Sequence, residues 1–128
     1  MYEISTDKKT FIIADNKISF NDEIHKVFVF PNVWVVELSN YIYKDGQVWG
    51  INMPDQPSDN IYGINSECEI VWNIKEVVAS YELGNAQDRH WGLLIKLSDS
   101  VFRAVDFWGW GIEVDVNTLK VVRQYMSK

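Results

Sequence analysis

The stretch Asn60-Ile61-Tyr62-Gly63-Ile64-Asn65-Ser66-Glu67-Cys68-Glu69-Ile70-Val71-Trp72 decides the fold class of this chain. It holds an alternating strand, an Asn at the strand end, a short polar turn and a second alternating strand. Gly111-Ile112-Glu113-Val114-Asp115-Val116-Asn117-Thr118-Leu119-Lys120-Val121-Val122 repeats the pattern about fifty residues later. Period-two alternation marks a strand with one face buried. Asn and Asp tolerate the backbone angles of tight turns, so each copy reads as a hairpin.

The same grammar extends outward. Phe11 to Ala14 and Lys17 to Phe20 flank Asp15-Asn16, a second hairpin. Asn21-Asp22-Glu23 is a polar break before the alternating run Ile24 to Phe30. Pro31-Asn32 interrupts, because proline cannot donate to a central ladder. Val33-Trp34-Val35-Val36-Glu37-Leu38 is the most apolar run of this half and is expected to be a central strand. Asp45-Gly46 sits between the aromatic strand formers Tyr41 to Tyr43 and Val48 to Ile51, another hairpin signal. The segment from Asn52 to Asn60, with Pro54, Asp55, Pro57, Ser58 and Asp59, reads as a loop. Lys75 to Leu83 fits either two helical turns or an irregular strand. His90 to Leu97 and Val101 to Asp106 return to strand.

The expectation is one all-β domain over residues 1–128: an antiparallel meander or sandwich of blade-like hairpins, with about nine to eleven short strands. At 128 residues the chain should bury roughly 65–70% of its unfolded surface. Six Trp, six Tyr and six Phe supply flat side chains that suit a pleated surface.

The two copies resemble the blade repeat of quinoprotein-type (PQQ-like) β-propellers. That repeat has an apolar–Tyr–small–apolar–Asp strand, a glycine-containing turn, then Lys–apolar–apolar–Trp. Trp72 takes the tryptophan position, Asn65 stands for the Asp and Cys68 for the turn glycine. In the second copy Asp115 and Asn117-Thr118 match, whereas Arg123 replaces the tryptophan. The resemblance implies a blade-like sheet with Trp72 packed against its neighbours. Two copies are too few for a closed propeller, so the quinone cofactor of that family is not expected.

Net charge is −6, and no Lys/Arg cluster offsets it. Such a surface repels phosphate backbones, so nucleic acid is not an expected partner. The same field favours encounter with a basic protein. The single cysteine, Cys68, allows no internal disulfide and suits a reducing compartment. No signal-peptide pattern and no apolar run long enough to span a bilayer is legible, so a cytoplasmic location away from membranes is expected.

Catalytic signals are weak. Asp88-Arg89-His90 puts an acid beside a base, and Asp106, Glu113 and Asp115 bracket the aromatic segment Phe107-Trp108-Gly109-Trp110-Gly111. Carboxylates beside aromatics suit sugar chemistry, but alternation alone explains Glu113 and Asp115 as the solvated face of a strand. Glu67 and Glu69 disfavour a reactive thiolate at Cys68. No metal-ligand spacing is present. Neither an enzyme nor a bound cofactor is expected.

Size, acidity and the lack of catalytic motifs resemble the immunity proteins of bacterial toxin–immunity pairs. The expected function is therefore an acidic protein-binding module, an immunity-type inhibitor of a basic toxin domain such as a nuclease. Asp55, Asp59, Glu67 and Glu69 would supply the field, with Trp108 or Trp110 as anchor. The alternative is a carbohydrate or small-ligand binder that stacks its ligand on Trp108 and Trp110.

Overall fold

A computed structural model describes residues 1–39, 42–44, 47–49, 59–79, 91–106 and 110–126. Within them the chain is all-β, built of antiparallel sheets with one short helix. The first sheet joins β1 (Glu3–Ile4), β2 (Thr10–Ile13) and β3 (Asn16–Ser19) in sequence order. The second begins with β4 (Glu23–Val29) and β5 (Trp34–Ser39). A separate hairpin of β6 (Ile42–Lys44) and β7 (Gln47–Trp49) follows, and then β8 (Ile61–Ile64) and β9 (Ile70–Asn73) complete the second sheet in the order β4-β5-β8-β9. After helix α1 (Ile74–Ala79), strands β10 (Trp91–Lys96), β11 (Val101–Asp106), β12 (Trp110–Asp115) and β13 (Lys120–Met126) form the third sheet as a meander. Thirteen strands are thus present among the described residues, more than the nine to eleven read from the sequence. The additions include the two-residue β1, too short to announce itself by alternation.

The second sheet is the middle layer. Along β5, Trp34, Val36 and Leu38 face one way and Val35 the other, as period two requires. Val36 and Leu38 join Phe11, Ile24, Ile64 and Cys68 in a core under the first sheet. Val35, Ile61 and Trp72 join Phe102, Ala104, Ile112 and Val114 in a larger core under the third sheet. A strand buried on both faces reads as a near-continuous apolar run, which explains Val33 to Leu38 with Glu37 as its one charge. It does lie inside its sheet, between β4 and β8.

The two copies of the signature close their turns with the same devices, an Asx acceptor and a positive-φ residue, at different spacing: the positive φ stands three residues after Asn65 and four after Asp115. In the first, Asn65 Oδ1 accepts from the amides of Glu67 and Glu69, and Cys68 adopts φ 61°. In the second, Asp115 Oδ1 accepts from the amides of Asn117 and Thr118, and Leu119 adopts φ 57°. A positive φ is the conformation glycine would take, so Cys68 stands where a turn glycine fits. Each copy also pairs a strand glycine with an aromatic across the ladder. Gly63 faces Trp72, and Gly111 faces Tyr125. The aromatic of the second copy is therefore Tyr125, two residues beyond Arg123.

One local expectation is corrected, and one left open is decided over its described residues. The first hairpin pairs Ile13 with Asn16, so its turn residues are Ala14 and Asp15 rather than Asp15 and Asn16, and Ala14 carries the positive φ, 53°. The ambiguous segment after Trp72 resolves as helix over Ile74–Ala79, with Ile74, Val77 and Val78 buried at helical spacing. Asn73 caps it: its Oδ1 accepts from the Lys75 amide at 2.8 Å.

Candidate binding cleft

The buried polar residues converge on one end of the second and third sheets. Among the described residues they are Glu37, Asn60, Asn73 and Asp106. Asn73 Nδ2 donates to the Asp59 carbonyl at 2.9 Å. Asn60 Nδ2 donates to the Trp91 carbonyl at 2.7 Å, tying the second sheet to the third. Trp91 is the ladder partner of Asp106, whose Oδ1 accepts from the Trp110 amide at 2.8 Å. Asn60 is only 1% exposed, yet its Oδ1 has no hydrogen-bond partner among the described residues. A buried acceptor left unpaired costs about 1–3 kcal/mol; among the described residues Trp72 Nε1, Trp91 Nε1, Arg103 Nε and the Tyr125 hydroxyl share that condition.

On the other side of Asn60, a cleft of about 350 Å³ opens between the end of the first sheet and the second sheet. Phe20, Asp22, Asp59, Asn60 and Tyr62 line it. The Phe20 and Tyr62 rings lie 5.0 Å apart at 42°. Burial, and then the charges of Asp59 and Asp22, hold the Tyr62 hydroxyl above its usual pKa. No Lys, Arg or His is among the described residues lining the cleft.

Glu37 forms a second polar feature. It is 4% exposed, on β5, and burial pushes its carboxyl up to about 7, with Lys26 offsetting part of the effect. His25 Nε2 approaches Glu37 Oε1 at 4.0 Å. His25 is the extra residue of a β-bulge, since Ile24 pairs with Leu38 and Lys26 with Glu37. Partial burial, and then Lys26, hold the imidazole below its usual pKa.

The residues expected from the sequence fall in different places. Asp59 is exposed and lines the cleft. Glu67 and Glu69 are exposed too, but they lie on the β8–β9 turn at the far end of β8 from Asp59, so they do not share its surface. Trp110 is half-buried at the start of β12, toward the same end as Asp59. Asp55, Trp108, Asp88 and His90 lie outside the described residues. Asp106 faces inward with Phe102 and Ala104, whereas Glu113 and Asp115 alternate outward from buried Ile112 and Val114. These three carboxylates do not converge. Glu113 instead pairs with Arg123 at 3.2 Å, and Asp115 closes its turn.

Sequence reasoning missed Asp22, Asn60, Tyr62 and Glu37. Glu37 had a signal, as the one charge inside the most apolar run. Asp22 sat in a segment read only as a break. Among the described residues no group of three His, Cys, Asp or Glu could hold a metal ion, and no helix is long and apolar enough to cross a membrane.

No curated protein and no solved structure matches this chain. A family model described as a domain of unknown function, DUF7957, matches residues 1–126. With nearly the whole length covered, the chain belongs to the DUF7957 family.

Proposed function

We propose that this protein is a cytoplasmic binding module that neutralises a basic partner protein by direct contact, in the manner of an immunity-type inhibitor of a toxin domain. The cleft between the first two sheets carries this reading. It presents the carboxylates of Asp22 and Asp59 beside an aromatic pair, with no cation among the described residues of its lining. On a chain of net charge −6, such a surface attracts and orients a positively charged partner. The experiment is a pull-down of the tagged protein from its native lysate, with bound proteins identified by mass spectrometry and eluted by a salt gradient. A stoichiometric basic partner, released as salt rises, is the expected result. A correctly folded bait that retains no protein at low salt overturns the reading.

A further inference from the structure

The two signature copies share a further feature at equivalent positions. In β9, Ile70 pairs with Ile64 and Trp72 with Gly63, so Val71 is the extra residue of a β-bulge. In β13, Val121 pairs with Val114 and Arg123 with Glu113, so Val122 is the extra residue of another. A bulge bends an edge strand and re-aims one side chain. It blunts an edge against further pairing whatever that side chain is, and on β4 the bulge residue is the polar His25. Here both are valines, 48% and 55% exposed. They lie on one side of the sandwich. β9 and β13 are the outer strands of their sheets among the described residues, and α1 packs against both. At the opposite side, Lys96 of β10 donates to the Val29 carbonyl of β4 at 2.7 Å. Both valines also lie toward the turn end of the sandwich, away from Asn60 and Trp91. Two residues before each stands an exposed charge: Glu69 before Val71 and Lys120 before Val122.

We propose that this side of the sandwich docks a second copy of the chain, β9 of each against β13 of the other, with Val71 packed on Val122 and Glu69 set against Lys120. The charges select this occupant. The β9 half of the side carries Glu67 and Glu69, whereas the β13 half carries Lys120 and Arg123. The carboxylates near Lys120 are already engaged, Asp115 by the amides of its own turn and Glu113 by Arg123. A partner of uniform charge would be attracted by one half and repelled by the other. A second copy, turned about an axis parallel to the strands, presents each half with its opposite. Both strands run away from the turn end, so that rotation brings Val71 level with Val122 and Glu69 level with Lys120, each contact made twice. The side is about 20 Å long and about 20 Å deep, from strand rise and layer spacing. Two copies would bury roughly 800–1,000 Å², which places the pair among weak, reversible associations. This inference goes beyond the inhibitor reading and does not rest on the cleft.

The test is a dilution series of the isotope-labelled protein at low ionic strength, from about 1 mM to about 20 μM, read by amide NMR spectra and by sedimentation velocity. The expected result is a sedimentation coefficient that rises with concentration toward that of a dimer, with the concentration-dependent shifts centred on Val71 and Val122. Glu69→Lys and Lys120→Glu, each checked for unchanged spectral dispersion, turn two attractions into two repulsions in a pair of like copies. Each should weaken association about tenfold. An equimolar mixture of the two variants restores both attractions in the mixed pair and should associate about as well as the wild type. A mere loss of fold would not be repaired by mixing. A monomer at every concentration, shifts confined to other surfaces, or a mixture no better than its components overturns the assignment. So does a monomer whose Val71 and Val122 amides shift only when a partner from the pull-down is added, which would give the edge to that partner.

Discussion

The indole of Trp72 lies over the backbone of Gly63, its partner across the β8–β9 ladder, and a Cβ at position 63 would overlap that ring. Trp72 cannot swing away, because its other face stacks on Phe102 of the third sheet, with ring centroids 5.9 Å apart and planes 5° from parallel. Glycine here is required by close approach, not by a turn.

Gly63→Ala is therefore expected to destabilise the protein by about 1–3 kcal/mol, the usual range for overpacking a rigid site. Gly111→Ala meets the same obstacle in the Tyr125 ring. Tyr125 is only half-buried, with no second ring stacked on it as Phe102 is on Trp72 among the described residues, so the second substitution should cost less. Chemical denaturation of the two variants gives the order directly. A larger loss at Gly111 would contradict it.

Ala14 holds φ 53° at the β2–β3 turn. A left-handed alanine costs roughly 1–2 kcal/mol. Glycine removes that strain but adds roughly 0.4–1 kcal/mol of unfolded-chain entropy. The difference favours Ala14→Gly by about 0.5–1 kcal/mol, read as a higher melting temperature. A lower one would mean that the alanine methyl contributes packing that outweighs its strain.

Glu37 makes stability depend on pH. Its folded pKa of about 7 lies above the value of 4.5 for a free glutamate. The folded state thus holds a proton that the unfolded chain has released. The contribution is fully present below pH 4.5, falls as pH rises through 7, and amounts to roughly 3 kcal/mol across that window. Glu37→Gln should match the wild type near pH 4 and exceed its stability at pH 8. The difference curve between the two proteins isolates this residue from His25, whose lowered pKa acts in the opposite direction. A flat difference curve would show that the carboxyl is solvated.

Asn73 joins two functions in one side chain: the cap on α1 and the bond to the Asp59 carbonyl. Asn73→Ala should cost about 1–2 kcal/mol through the lost cap. Asn73→Asp keeps the capping acceptor but sets a carboxylate oxygen against the Asp59 carbonyl in a buried position, so it should lose stability although the cap is retained. Chemical denaturation of both variants separates the two roles: a stability close to wild type for Asn73→Asp would show that the bond to Asp59 contributes little.

Strands and turns were legible because they are written locally. Asn65 and Asp115 announce their turns by residue type, and the flanking alternation follows the pleat. The first turn was misplaced by one residue because Ala14, a poor left-handed residue, took the position that Asn16 suits better. Helix α1 was ambiguous because Ile74, Val77 and Val78 keep helical spacing within too few residues to exclude a strand. The cleft was not legible. Asp22 and Tyr62 are forty residues apart, and only the packing of the first sheet on the second brings them together. Nor does any pattern in sequence separate Asp59 from Glu67 and Glu69, which a four-residue strand carries to opposite ends.

Each of the three larger sheets among the described residues is drawn from its own stretch of chain: residues 3–19, 23–73 and 91–126. Every ladder is closed within its stretch, so few pairings must wait for distant sequence, which favours rapid folding for a β protein. During synthesis from the N-terminus, the hydrogen bonding of one sheet can be complete before the next has left the ribosome. What synthesis delays is the cover between layers. A nascent chain halted after Asn73 carries a fully laddered second sheet with Val35, Ile61 and Trp72 still open to water, and only the arrival of Phe102, Ala104 and Ile112 closes that face.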